Sequence, residues 1–197
     1  MSNTPINSTA ATENLLHALA DQLAAHGERY TLAVVGGSAL LALGLVSRAT
    51  KDVDILAIVE DRGLVSAQPL PAALLDAAHT VARDFGLSDD WLNPGPTSLL
   101  DLGLPNGFYE RAQHRVYGPG LEILFASRVD QIHLKLYATV DQGAGKHLVD
   151  LEALHPTEQE LLDAARWSRT HDPSEGYRSA LARVFAHFGV DDGRLDP

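Results

Sequence analysis

Two aspartates separated by one residue, Asp52 and Asp54, are the strongest chemical signal in the sequence. They open an apolar stretch, Ile55 to Ile58, that predicts a β-strand, and residues two apart on a strand point to the same face. Two carboxylates this close are costly unless a cation lies between them. Mg²⁺ favours one or two carboxylates together with substrate phosphates. We therefore expect Asp52 and Asp54 to bind Mg²⁺, with Mn²⁺ as the alternative ion. A solvated strand face with ion pairs to Arg48 and Lys51 would also explain the pattern.

A glycine-rich turn, Gly36-Gly37-Ser38, precedes the aspartates and lies between a predicted strand at 31–35 and a predicted helix at 38–45. Backbone N–H groups at the start of a helix, together with a hydroxyl, bind phosphate groups. The turn is therefore a predicted nucleotide-phosphate site, and the alternative is that its glycines let helix and strand pack closely. Arg48 has the forked guanidinium of a phosphate clamp, or pairs with the aspartates.

Further charged residues could complete such a site. Glu122 alternates with apolar residues on a predicted strand, and a third carboxylate could deprotonate an attacking hydroxyl or complete a two-metal site. The alternative for Glu122 is an exposed position on a half-buried strand. Lys135 either points a cation into a cleft or lies on the surface. Lys146 and Asp150, four residues apart on a predicted helix, are also spaced for an ion pair along that helix.

The periodicity of apolar residues predicts an α+β fold, with a small mixed β-sheet flanked by helices and a helical C-terminal part. We expect a disordered leader at 1–12, an α/β core at 13–127 and a helical region at 128–197. The predicted strands are 31–35, 52–59, 114–117 and 121–125, and the predicted helices are 13–26, 38–45, 71–85, 128–141, 146–154, 157–170 and 174–188. Residues 88–107 are predicted to be loop and turn.

Composition narrows the classes of function. The chain has 197 residues and no run of about 18 apolar residues, so no membrane span is expected. Its formal net charge of −11 argues against tight binding of duplex DNA, which depends on Lys and Arg. Cysteine is absent, which excludes disulfides and fits a cytoplasmic protein.

These residues together resemble the nucleotidyltransferase superfamily, which has the polymerase-β-like fold. The closer resemblance is to the AbiEii-type branch, which includes toxins of type IV toxin–antitoxin systems. Its first motif is present as Arg48-Ala49-Thr50-Lys51-Asp52-Val53-Asp54. Its second corresponds to Lys135 followed by the segment from Lys146 to Leu151, in which His147 replaces an aspartate. The resemblance covers about residues 30–155.

The resemblance implies Mg²⁺-dependent transfer of a nucleoside monophosphate from an NTP to a hydroxyl of RNA, such as tRNA, or of a protein. It implies that Lys135 contacts the triphosphate, that Asp150 supports the site and that Glu122 is the third carboxylate. An antitoxin protein would be a further partner. The alternatives are an inactive member that binds a nucleotide or a partner protein, and a metal-binding domain without a nucleotide role.

Overall fold

The computed structural model of the protein describes residues 5–195. The fold is α+β as predicted, with a six-stranded mixed sheet flanked by helices and a helical C-terminal part. The chain divides into two compact units, Met1–Ser127 and Arg128–Pro197. Over the described residues, every helix is too short or too polar to cross a membrane.

The first unit holds the whole sheet. Its strands are β1 (Tyr30–Val35), β2 (Val53–Glu60), β3 (Gly63–Val65), β4 (Leu92–Asn93), β5 (Gln113–Gly118) and β6 (Leu121–Phe125). Its helices are α1 (Thr9–Ala25), α2 (Gly36–Ala42), α3 (Ala72–Phe85), α4 (Leu99–Leu102) and α5 (Phe108–Arg111), with a 3₁₀ turn at Gly95–Ser98.

The sheet has the strand order β3-β2-β1-β6-β5, and β4 pairs with β2. β1 runs parallel to β6, and β4 runs parallel to β2, whereas the other pairs are antiparallel. One face of the sheet is covered by α1 and α3, whose leucines and alanines pack on Leu32, Val34 and Phe125. This buried apolar layer stabilises the first unit and fixes which face of each strand remains for polar side chains.

Residues 5–12 contain a β-bridge at Ile6 and the start of α1, so the prediction of a disordered leader does not hold for them. Ile6 is 1% exposed, and its backbone exchanges two hydrogen bonds of 2.8 Å with Thr50. The Ser8 hydroxyl accepts a hydrogen bond from the backbone N–H of Ala11, which caps α1 and starts the helix at Thr9. The rest of the predicted leader, residues 1–4, lies outside the described residues.

The segment predicted as loop and turn at 88–107 contains β4, the 3₁₀ turn and α4. Trp91 organises its start, because the indole is fully buried and its Nε1 donates to the carbonyl oxygen of Ala78 at 2.9 Å. A buried Trp with a satisfied N–H is a strong anchor. It holds the following two residues, Leu92 and Asn93, alongside β2.

The second unit is helical, as predicted. It comprises α6 (Arg128–Gln142), α7 (Lys146–Ala153), α8 (Glu158–Arg169), α9 (Glu175–Phe188) and a 3₁₀ turn at Asp192–Leu195. A capping box starts α8, with reciprocal contacts between Thr157 and Glu160. Arg128 binds the Glu160 carboxylate through two N–H groups at 2.6 and 3.1 Å, which ties the start of α6 to the start of α8.

Candidate functional site

A β-bulge in β2 decides where the aspartates point. In the pairing of β1 with β2, Ala33 faces Ala57 but Val34 faces Ile55, so Leu56 is an extra residue. Ile58 and Ile55, three residues apart, consequently both pack on the core under α1 and α3. A bulge shifts the alternation of side chains by one residue. Below the bulge, Val53 and Ile55 face that core, and Asp54, which lies between them on the strand, faces the opposite side.

The glycine pair packs directly against the aspartate motif. A Cβ atom on Gly36 would lie 2.1 Å from Asp54 Oδ2, and Gly36 has a φ of +73°. A Cβ atom on Gly37 would lie 3.1 Å from Thr50 Oγ1 and 3.2 Å from Arg48 Nη2. Glycine is needed at position 36 for its backbone conformation and for the space that the Asp54 carboxylate occupies. The structure therefore brings Gly36, Gly37, Arg48 and Asp54 together, at the N-terminus of α2.

Asp52 lies just before β2 and is held through Thr50. The Thr50 hydroxyl donates to Asp52 Oδ1 at 3.2 Å, and Thr50 is 8% exposed. Its backbone is fixed in turn by the pairing with Ile6. Arg48 is half-buried as a residue, and its guanidinium donates through Nη1 to the carbonyl oxygen of Ala49 at 3.2 Å.

Asn93 contacts Asp54, and the sequence did not predict this contact. Its side-chain Nδ2 donates to Asp54 Oδ1 at 2.9 Å. The signal was weak, because a two-residue strand such as β4 has no detectable alternation. The tract Asn93-Pro94-Gly95 predicts a turn, and an Asn side chain often bonds the backbone N–H two residues on. The tract itself does not indicate that the Asn93 Nδ2 group contacts Asp54.

Ser38, the third residue of the predicted phosphate turn, is fully buried in α2. Its hydroxyl oxygen has no hydrogen-bond partner among the described residues. Leaving a buried hydroxyl unsatisfied costs about 1–3 kcal/mol. A serine at this position therefore lowers the stability of the folded protein, so its hydroxyl is not explained by a contribution to folding.

Glu122 is not brought to the aspartates. It lies on the same face of the sheet, but its neighbour on β1 is Thr31, whereas the neighbour of Asp54 is Val35. Four residues along a strand correspond to about 13 Å. The residue level with Asp54 on this face is Ala126, which directly follows β6 and is fully buried. The Glu122 carboxylate instead contacts His114 Nδ1 at 3.2 Å.

The separation of Glu122 corrects the prediction of a third carboxylate on β6. Across residues 5–195, no group of three or more histidine, aspartate or glutamate side chains is arranged to hold a metal ion. Metal binding by Asp52 and Asp54 alone stays a prediction.

In the second unit, Lys135 on α6 and Asp150 on α7 form a buried ion pair. Lys135 Nζ lies 2.7 Å from Asp150 Oδ2, and the two side chains are 7% and 0% exposed. Lys146 is exposed, and His147 Nε2 lies 3.2 Å from Gln142 Oε1. The structure thus joins Lys135 to Asp150, whereas the sequence spacing had paired Lys146 with Asp150. A nucleotide contact by Lys135, Lys146 or Asp150 stays a prediction.

Comparison with known proteins gives one family. The family described as "Nucleotidyltransferase of unknown function (DUF6036)" matches residues 14–144, which include the glycine turn, both aspartates and Asn93. Neither the curated proteins nor the solved structures contain a significant match to the chain. Because the family match spans well over half of the sequence, the chain belongs to this family of nucleotidyltransferases of unknown function.

Proposed function

We propose that the protein is a Mg²⁺-dependent nucleotidyltransferase that transfers a nucleoside monophosphate from an NTP to a hydroxyl of RNA or of a protein. One observation carries the proposal. The Gly36-Gly37 backbone at the start of α2 lies directly against the Asp54 carboxylate, with Asp52 two residues away. Backbone N–H groups of a kind suited to phosphate and carboxylates of a kind suited to Mg²⁺ are thus close together at one end of β2, which supports the proposal.

The donor set fits Mg²⁺. Asp52 and Asp54 supply two carboxylates, and the remaining positions around the ion would be filled by triphosphate oxygens and water. A bound Mg²⁺ would stabilise the negative charge that develops on the transferring phosphate. The neighbouring side chains Thr50 and Asn93 contact the carboxylates as neutral hydrogen-bond donors.

The protein residues act by binding and orientation. The backbone N–H groups of Gly36, Gly37 and Ser38 are suited to bind the triphosphate, and Arg48 offers a cation beside them. The acceptor oxygen would attack the α-phosphorus, forming one P–O bond as the bond to pyrophosphate breaks, and the hydroxyl proton would pass to solvent water. Glu122 is too far from the aspartates to take that proton, so catalysis would come mainly from positioning and electrostatics.

The toxin role that the resemblance implies belongs to the same proposal. Modification of a tRNA or of an essential protein would arrest growth, and an antitoxin protein would restore it. Expression of the wild type is then expected to stop growth, and expression of Asp54→Asn is not. Growth under both conditions would remove the toxin role and leave the transferase proposal in place.

Transfer is tested with each radiolabelled NTP, Mg²⁺ and total cell RNA or protein. We expect one pool to be labelled, and expect Asp54→Asn to reduce labelling more than about 100-fold. The matched control is Asp61→Asn, since Asp61 is exposed at the other end of β2. Equal labelling by both variants would contradict the proposal.

A second candidate is a protein that binds a nucleotide without transferring it, and the separation of Glu122 from the aspartates favours it. Isothermal titration with Mg²⁺ and NTP distinguishes the candidates. Metal-dependent NTP binding without labelling of any acceptor indicates the inactive protein. Mg²⁺ binding that ATP does not strengthen indicates a metal-binding domain.

A further inference from the structure

Asn93 reaches the aspartate pair from a different part of the chain. We propose that Asn93 is a positioning residue that orients the Asp54 carboxylate for metal–nucleotide binding, an inference that rests on the proposed function. Its Nδ2 lies 2.9 Å from Asp54 Oδ1, and β4 pairs with β2 so that Asn93 is directly beside Asp54. The contact therefore comes from an adjacent strand rather than from a side chain that reaches across solvent.

The orientation of the Asn93 amide is set by its other end. Asn93 Oδ1 accepts a hydrogen bond from the backbone N–H of Gly95 at 2.9 Å, which forms an Asx turn. Since the oxygen is used by the turn, the Nδ2 group must face Asp54. Asp would serve the turn as well as Asn, but only Asn can donate to Asp54. An amide at position 93 is thus required by the contact with Asp54 and not by the turn.

The backbone of Asn93 is also fixed. The backbone N–H of Val53 donates to the carbonyl oxygen of Trp91 at 2.6 Å, which attaches β4 to the start of β2. The Trp91 side chain is fully buried and bonded to α3 through the Ala78 carbonyl. A functional side chain on an anchored strand is held more closely than one on a loop.

The orientation of the Asp54 carboxylate is therefore restricted at both of its oxygens. Oδ1 receives the Asn93 amide, and Oδ2 lies against Gly36. A neutral amide orients the group without adding a positive charge that would compete with a metal ion. Partners of this kind behind a metal ligand typically contribute about 10- to 100-fold to metal affinity or activity.

The test measures Mn²⁺ binding by electron paramagnetic resonance, with and without a non-hydrolysable ATP analogue. Asn93→Ser keeps a hydroxyl that can serve the turn but is too short to reach Asp54, and it adds no charge. Asn106→Ser is the matched control, because Asn106 is exposed in a second Pro- and Gly-flanked turn. Thermal unfolding of each variant reports whether it is folded.

We expect folded Asn93→Ser to bind Mn²⁺ with the analogue about tenfold more weakly than the wild type, and Asn106→Ser to bind like the wild type. Affinity within twofold of the wild type would overturn the positioning role while the proposed function stands. If the wild type itself binds no Mn²⁺ with the analogue, the proposed function fails instead.

A second variant serves if Asn93→Ser does not fold. Asn93→Thr also keeps a hydroxyl that can accept from the Gly95 N–H, favours the extended backbone of a strand and is too short to reach Asp54. We expect it to bind Mn²⁺ with the analogue about tenfold more weakly than the wild type. Affinity within twofold of the wild type would overturn the inference.

Discussion

Replacing Gly36 by alanine tests the contact between the glycine turn and the aspartate motif. The residue has a φ of +73°, and a Cβ atom there would lie 2.1 Å from Asp54 Oδ2. The left-handed conformation costs a non-glycine residue about 1–2 kcal/mol. Overlap with a packed group adds about 1–3 kcal/mol. We therefore expect Gly36→Ala to lower the free energy of unfolding by about 2–5 kcal/mol, a large part of the stability of a typical domain.

Gly44→Ala is the matched control. Gly44 lies just beyond the other end of α2, has a φ of +68°, and offers a Cβ atom open space within 4 Å. It therefore carries the conformational penalty without the overlap. The difference between the two variants measures the contact with Asp54 alone, which we put at about 1–3 kcal/mol.

Both free energies come from urea denaturation followed by circular dichroism, with equal m-values as the condition for comparing them. Mn²⁺ affinity in the presence of the ATP analogue is measured on the same samples. If Asp54 swings away to relieve the overlap, the difference in stability shrinks but the Mn²⁺ affinity falls. Equal stability of Gly36→Ala and Gly44→Ala, together with unchanged Mn²⁺ affinity, would refute the reasoning.

Three further perturbations follow from single contacts. Ser38→Ala should leave the free energy of unfolding unchanged or raise it by up to about 1 kcal/mol, because the buried hydroxyl lacks a partner within the described structure; a loss above about 1 kcal/mol in urea denaturation would contradict this. Lys135→Met should cost about 3–5 kcal/mol by leaving Asp150 buried without its ammonium partner, whereas Lys146→Met on the exposed surface should change stability by less than about 0.5 kcal/mol. Equal costs in the two variants would argue against a buried pair. Burial lowers the pKa of His171, so the neutral form is favoured in the folded state. Its contribution to stability is then complete above about pH 6.5 and is lost as the pH falls below that value. His171→Phe should flatten the decline in unfolding free energy between pH 7.5 and 5.5, and an unchanged slope would exclude His171 as the cause.

Much of the fold follows from local patterns in the sequence. The apolar spacing in α1 and α3, the Pro and Gly that bound the helices, and the capping box of α8 act over a few residues, so they are readable without the tertiary structure. The pairing of Asp52 with Asp54 is a local pattern of the same kind, because it depends only on a spacing of two residues. Its role in metal binding stays a prediction.

For Glu122, the local pattern predicts the face of the sheet but not the position along it. Its alternation with Leu121 and Ile123 correctly indicates the face that does not meet α1 and α3, since both of those neighbours belong to the core. Whether it lies level with Asp54 depends on the register of β6 against β1 and of β1 against β2. Register is set by packing across the sheet and by the bulge at Leu56, and neither is encoded in a single strand.

The contact of Asn93 with Asp54 was not predicted, because it depends on a pairing between distant parts of the chain. The local sequence predicts its turn, but the residue matters through a pairing with β2, 39 positions earlier in the chain. A strand of two residues is stabilised by tertiary contacts, here the burial of Trp91, rather than by its own propensity. Short strands anchored in this way are where sequence patterns are least informative.

The aspartates of the two units differ in the side chains that contact them, and this difference is relevant to function. Asp150 is fully buried and paired with an ammonium group, so its charge is compensated within the protein. Such a pair holds α6 to α7, and removing one partner is costly. Asp52 and Asp54 are half-buried, and the hydroxyl of Thr50 and the amide of Asn93 contact them as neutral hydrogen-bond donors. Carboxylates oriented by neutral donors keep the electrostatic attraction that a divalent cation needs. This contrast supports the proposed metal site at the end of β2.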